Sequence, residues 1–163
     1  MVEKELSLLQ SMPIFGGINE DSLRYLLSLA SLVKAERDSY FFCEGDPGDS
    51  MFVLNSGAVS LTKSSDDQTY LLRKLAVGDC FGILTLLDLG PRSGSALARA
   101  DSTAIEISST HLYEIYNQDP EQYMLLQMNL AREVSRRLRE ADRQYFKTIL
   151  GEDTESRILF DAV

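Results

Sequence analysis

Histidine and cysteine, the side chains that most often hold metals or attack substrates, are nearly missing here: one His and two Cys among 163 residues. A lone His111 has no partner for a metal site or a Ser-His-Asp system. Cys43 and Cys80 offer neither a zinc spacing nor a redox CxxC pair, and an iron–sulfur cluster needs four thiolates. Both stand among apolar neighbours and read as buried, inert thiols. Strings of the GxxxxGK[ST] and GxGxxG type are absent too, which removes the nucleotide-triphosphatase and dinucleotide-binding readings. No catalytic residue, metal ligand or obligatory cofactor is expected. A non-enzymatic function is the reading that remains.

Positive charge is also scarce. The 16 Lys and Arg against 25 Asp and Glu give a net charge of −9, which repels phosphate backbones over most of the surface. Direct DNA binding is therefore not expected from this chain alone. No segment approaches the roughly 18 uninterrupted apolar residues of a membrane span, and the N-terminus lacks a basic stretch followed by an apolar block. A cytoplasmic protein is expected, with no membrane partner.

What the chain does have is enough apolar content, 44%, for a single-domain core. Asn19 followed by acids, then Leu23, Leu26, Leu27 and Ala30 at helical spacing, predicts a capped amphipathic helix behind the entry "SMPIFGGI". After Lys34 come short strand-like runs, "SYFFCEGD", "MFVLNSG", "AVSLTKS", "TYLLRKLAVGD", "ALARA" and "TAIEIS", which indicate a β-sandwich or barrel. Gly45, Gly48, Gly57 and Gly78 separate them and are expected as turn residues with φ > 0. Glu44, Asp46 and Asp49 crowd one such turn. They lack the ligand alternation and terminal Glu of a calcium loop and read as caps for backbone N–H groups.

From Ser108 the pattern returns to helix. "SSTHLYEIYNQDP" predicts a capped short helix stopped by Pro120, with a long helix from about Glu121 to Lys147. Within it Gln127, Ala131, Val134, Leu138, Ala141, Tyr145 and Thr148 alternate steps of four and three, the seam of a coiled coil. A homodimer through Ala131, Val134, Leu138, Ala141 and Tyr145 is the expectation. The rival is that the stripe packs on the β core.

The segment "GDCFGILTLLDLGPRSG" supplies what anion binding needs: a turn at Gly82, a short helical run whose first N–H groups lack partners, and a returning guanidinium and hydroxyl at Arg92 and Ser93. With its flanks, "EGDPGDSMFVLNSGAVSLTK" and "LAVGDCFGILTLLDLGPRSGSALARADSTAIEI", it resembles the cyclic-nucleotide-binding domain of bacterial regulators of the catabolite-activator and fumarate–nitrate-reduction (Crp/Fnr) type. The resemblance covers about residues 12–146. It implies a mainly β fold with flanking helices, an eight-stranded jelly-roll (double-stranded β-helix) barrel followed by a long dimerisation helix. It also implies a phosphate cassette of Gly82, Ile83, Leu84, Arg92 and Ser93, for which cyclic AMP or cyclic GMP is the candidate ligand.

At Ile83 the nucleotide-binding members of that family have a glutamate that accepts from the ribose 2′-hydroxyl, and isoleucine cannot. Three readings stay open: a weakly held cyclic nucleotide, another small anion, or a ligand-free barrel serving as a dimerisation or partner-binding module. The expected division is a sensor domain over 1–147 and a tail over 148–163. That tail, with a cap at Asp153 or Thr154 before Ile158 and Leu159, is similar to the helix that enters the family's winged helix-turn-helix. The reader itself is not among these residues.

Overall fold

A computed structural model describes residues 2–66, 68–150 and 159–160 of the chain. Helices precede and follow a β fold. α1 (Val2–Ser11), a 3-10 turn at Pro13–Phe15 and α2 (Glu20–Leu29) lead into β1 (Ser31–Ala35), β2 (Tyr40–Phe42), β3 (Ser50–Ser56), β4 (Val59–Ser65), β5 (Gln68–Leu75) and β6 (Cys80–Phe81). α3 (Ile83–Asp88) interrupts the strands, which resume as β7 (Ser95–Ala98) and β8 (Ser102–Ser108). α4 (Ser109–Gln118), α5 (Pro120–Leu150) and a two-residue strand β9 (Leu159–Phe160) complete the described chain.

The strands form two antiparallel sheets, ordered β1-β8-β3-β6 and β2-β7-β4-β5-β9, so strands distant in sequence lie side by side as in a jelly roll. β3 sits inside the first sheet and its residues divide between two cores. Met51 and Val53 join Ile105 and Ile107 of β8 under the helices, where Leu6, Leu9, Leu23, Leu26, Leu112, Ile115, Leu126 and Leu130 cover them. Phe52 and Leu54 face the barrel interior with Val59, Leu75, Phe81, Ala96 and Ala104. Alternation along one strand thus serves both the helical layer and the barrel.

The helix caps follow the sequence closely. Asn19 accepts the Ser22 N–H at 2.8 Å and starts α2. Ser108 starts α4 by accepting the His111 N–H at 3.3 Å, while His111 Nδ1 accepts the Ser108 N–H at 3.2 Å. His111 therefore occupies the place of the usual Glu or Gln in a capping box.

Several expectations need correction. α1 was not foreseen, although Leu6, Leu9 and Met12 anchor it in the core. β1 was read as a continuation of the α2 pattern, but the backbone turns extended at Ala30 (φ −67°, ψ 151°) and ends the helix. The end of α4 before Pro120 is as expected, since Asp119, the residue ahead of the proline, is extended (φ −150°, ψ 91°). α4 ends at Gln118 and Pro120 opens α5, where its missing N–H costs nothing. α5 runs to Leu150, three residues past Lys147. The helix start expected at Asp153 or Thr154 lies outside the described residues, and Leu159 pairs as strand with Tyr70 of β5 rather than lying on a helix.

Cys43 is exposed, contrary to the reading of both thiols as buried, while Cys80 is buried. Gly45, Gly57 and Gly78 do take φ between 85° and 90°. Gly48 does not; the Arg92 guanidinium stands where its side chain would be. No helix among the described residues is long and apolar enough to cross a membrane.

Candidate functional site

The strings "EGDPGD" and "GPRSG" are remote in sequence and adjacent in space. Gly45 N–H donates to the Arg92 carbonyl at 2.8 Å, and Arg92 N–H donates to the Asp46 carbonyl at 2.9 Å. The turn carboxylates keep this pairing in shape: Asp46 accepts the Cys43 N–H at 2.8 Å, and Asp49 accepts the Ser109 hydroxyl at 3.1 Å. Glu44 accepts the Ser64 N–H and pairs with Lys63 at 3.2 Å. The Ser64 N–H, ahead of Lys63, holds its carboxyl below the usual range. Only Asp46 caps an N–H of the turn itself as expected; Glu44 reaches across to the Ser64 N–H of β4, and Asp49 accepts a side-chain hydroxyl rather than a backbone N–H.

Pinned this way, the Arg92 side chain points inward and is 95% buried, with 5% exposure. Nη1 donates to the Ser50 carbonyl at 2.5 Å and to the Gly82 carbonyl at 3.3 Å, and Nη2 to the Ser50 hydroxyl at 3.1 Å. That hydroxyl donates in turn to Glu106 at 2.8 Å. The guanidinium carbon lies 4.2 Å from the centre of the Phe42 ring, a cation–π contact. Burial draws the guanidinium below its ordinary pKa, against the opposing charges of Glu106, Asp49 and Asp46. Nε is buried and has no hydrogen-bond partner among the described residues.

Two glycines make room for this cation. A Cβ on Gly48 would stand 2.8 Å from Nε, 2.8 Å from Nη2 and 2.9 Å from Cζ. Near-equal distances to three guanidinium atoms place it over the plane, so only glycine lets the backbone approach that face. At Gly82 a Cβ would meet Nη1 at 2.6 Å, and the residue also has φ +75°, a left-handed conformation that caps α3.

A cavity of about 370 Å³ opens between α3, the Arg92 turn and α5. The expected cassette residues Gly82, Ile83, Leu84, Arg92 and Ser93 all line it. Ile83 is buried in the helical core as well, Leu84 is half exposed, and Ser93 is exposed with its carbonyl accepting from Lys63 Nζ at 3.3 Å. Phe42, Leu61 and Leu72 from the barrel, Thr85 of α3, Gly94, and Val134, Arg137, Leu138 and Ala141 from α5 also line it.

Arg137 was not singled out in the sequence, where it looked like one of many surface arginines. Its Nε donates to Glu133 at 2.6 Å and its Nη2 to the Cys80 carbonyl at 2.7 Å, which fastens α5 to the strand that leads into Gly82. Burial would raise the Glu133 carboxyl, but hydrogen bonds from Arg136 and Arg137 leave it below the usual range. Ser50, Gly48 and Phe42 were also missed, since nothing local to them in sequence announces an arginine 42 positions away.

The stripe expected to dimerise splits into two environments. Val134 packs on the helical core, and with Leu138 and Ala141 it walls the cavity. Ala131 and Tyr145 face outward, and Leu138 and Tyr145 are 61% and 71% exposed. The face of α5 that enters the core is Leu126, Asn129 and Leu130, with Asn129 Nδ2 donating to the Gly16 carbonyl at 2.9 Å.

A jelly roll holding a buried arginine at a cavity between its strand-interrupting helix and a long terminal helix has the architecture of a ligand-binding domain. Residues 32–119 match the family described as "Cyclic nucleotide-binding domain", and the chain belongs to that family. It is 30% identical over 135 residues to the cyclic AMP receptor protein of Thermus thermophilus, covering 82% of this chain and 61% of that protein. It is 29% identical over 130 residues to a CRP-like cAMP-activated global transcriptional regulator of Mycobacterium tuberculosis, covering 79% and 56%. The chain thus spans somewhat over half the length of these relatives. A cyclic nucleotide-binding domain from Methylobacillus flagellatus superposes with a TM-score of 0.78 at 25% identity, covering 96% of this chain and 86% of that one.

Proposed function

We propose that the chain is the effector-binding sensor of a Crp/Fnr-type transcriptional regulator, acting in the cytoplasm without catalysis, with cyclic AMP or cyclic GMP as the candidate ligand. The observation that carries this is the Arg92 guanidinium, buried beside the cavity with its Nε donor unpaired. A buried donor without a partner is costly, and a phosphate oxygen would relieve it. Ser93 and the N–H groups of Gly82, Ile83 and Leu84 would supply the remaining contacts at the start of α3, where Gly82 brings no side-chain cap.

The chain would act as a homodimer through the outward face of α5, where Leu138 and Tyr145 are exposed. Ligand in the cavity would touch α3 and α5 together. Its differential affinity for two arrangements of these helices would bias the dimer toward one.

A second reading is a ligand-free barrel used for dimerisation or partner binding. It is favoured by the internal carbonyl and hydroxyl groups of Ser50 and Gly82 that already occupy the Nη atoms of Arg92. Calorimetric titration with cyclic AMP and cyclic GMP, beside an Arg92→Ala control checked for folding, separates the two. Saturable heat lost in the variant supports the sensor. No heat at millimolar ligand supports the second reading.

A further inference from the structure

A second cavity, of about 480 Å³, lies along a neighbouring face of α5. Arg132, Glu133, Arg136 and Arg137 line it from the helix, Arg73 from β5, and Asp79 from the turn before β6. Four arginines thus share one cleft with two carboxylates, in a chain whose net charge is −9. The ion pairs inside it do not close the difference. Glu133 alone serves two cations, accepting Arg136 Nη2 at 2.8 Å and Arg137 Nε at 2.6 Å. Asp79 stands 3.5 Å from Arg73 Nη2, and its other oxygen takes the Ala76 N–H at 2.9 Å. Arg132 pairs with no carboxylate among the described residues; its Nη1 donates to the Asn129 side-chain oxygen at 2.9 Å. Glu140, largely exposed and not part of the wall, lies 3.7 Å from Arg136.

The uncompensated Arg132 is also held in place. Asn129 is buried, and its Nδ2 is fixed on the Gly16 carbonyl, which aims its oxygen at the guanidinium. Arg132 and Arg136 are one turn apart on α5 and so are neighbours on its surface, while Arg73 comes from the barrel. Like charges gathered in a cleft raise its potential, and an anion between them removes the repulsion. Each guanidinium offers paired N–H donors that match the oxygens of a carboxylate or a phosphate. From this we infer that the cleft is a second ligand site, for a compact anion of at least two negative charges held between Arg132 and Arg136 of α5 and Arg73 of β5. The excess of two cations sets that charge, since a monoanion leaves one of them unmatched. A volume of about 480 Å³ falls within the range of small-molecule sites, roughly 300–1,000 Å³. The site is independent of the effector reading at Arg92. Arg137 lines both cavities, whereas Arg73 and Arg132 line this one and not the other.

The test is calorimetric titration of the full chain with inorganic pyrophosphate and with citrate, beside acetate as a monoanion. All three are compared at one ionic strength, so that general screening is the same for each. The expected result is saturable binding of pyrophosphate, citrate or both, at least about tenfold tighter than acetate. It should weaken at least threefold in the double variant Arg73→Gln with Arg132→Gln and stay unchanged in Arg92→Met. Binding of pyrophosphate alone assigns a phosphate ligand, and of citrate alone a carboxylate. Should the double variant melt early, Arg132→Gln carries the test by itself with the same threefold criterion, since Arg132 is exposed. Two sites, one lost in each variant, support both this inference and the effector reading. Absence of saturation at millimolar concentration, binding no tighter than acetate, or a loss below threefold overturns the second site. Binding lost in Arg92→Met and kept in the double variant places the probe in the effector cavity, which overturns this inference and leaves the effector reading standing.

Discussion

Arg92 and Ser50 meet through both the carbonyl and the hydroxyl of the serine, so the start of β3 holds a cation buried at the cavity. Gly48, two residues before Ser50, lies against the same guanidinium. An added methyl there would stand 2.8 Å from Nε and Nη2. Gly48→Ala is therefore expected to displace the Arg92 side chain and weaken anion binding at least about tenfold, with a stability loss of about 1–3 kcal/mol from overpacking. Chemical denaturation together with ligand titration of the variant checks both. Unchanged affinity would mean that the guanidinium position does not matter for binding.

Glu133 links α5 to the barrel through Arg137, and the pH dependence of that clamp has a definite sign. Its carboxyl is lowered in the folded chain relative to the unfolded value of about 4.3. The stabilisation is thus fully present above that value and is lost as pH falls through the lower folded value. Glu133→Gln is expected to cost about 1 kcal/mol at pH 7. The difference from wild type should shrink in acid below about pH 4. Thermal melts of both proteins across this range test it, and a gap that widens in acid would contradict the assignment.

How much of this was legible in the sequence depends on how local each cause is. Asn19 and Ser108 announce their helices because a cap acts over three residues. Gly82, Ile83, Leu84, Arg92 and Ser93 could be named together because they lie on one contiguous string, and all five line the cavity proposed as the anion site. β1 was not legible, since Leu32 and Val33 continue the apolar spacing of α2 and only pairing with Thr103 to Glu106 makes them strand. α5 carries two apolar faces on one helix, an inner one at Leu126 and Leu130 and an outer one at Leu138 and Tyr145. The heptad read from the sequence, Gln127 to Thr148, follows the outer face and passes over Leu126 and Leu130. Ser50 and Gly48 could not be read, because their role exists only once the arginine has folded back onto them.

The two thiols should differ sharply. Cys43 is exposed, whereas burial raises the Cys80 thiol despite the nearby Arg137 charge. Reaction with a chromogenic disulfide at neutral pH should modify Cys43 quickly and Cys80 at least about tenfold more slowly, with the second thiol released on unfolding. Equal rates in the folded protein would show that the Cys80 environment is more open than described.

Charge on the outer face of α5 tests the dimer. Leu138 and Tyr145 are the large exposed members of the expected stripe, whereas Val134 packs on the core and would confound the result by unfolding. Leu138→Glu with Tyr145→Glu is expected to convert a sedimenting dimer into a monomer that melts like wild type. A dimer that keeps its mass in this variant would remove α5 as the interface.

The Arg92 Nε–H, unpaired among the described residues, is the proposed receptor for a small anion. It can be watched directly as an arginine side-chain resonance in a nitrogen-15 labelled sample, assigned by its loss in Arg92→Met. Addition of a cyclic nucleotide or an aromatic carboxylate should move this resonance downfield along a saturable curve as the donor gains its partner. A resonance that stays in place at millimolar concentrations of both would contradict the account.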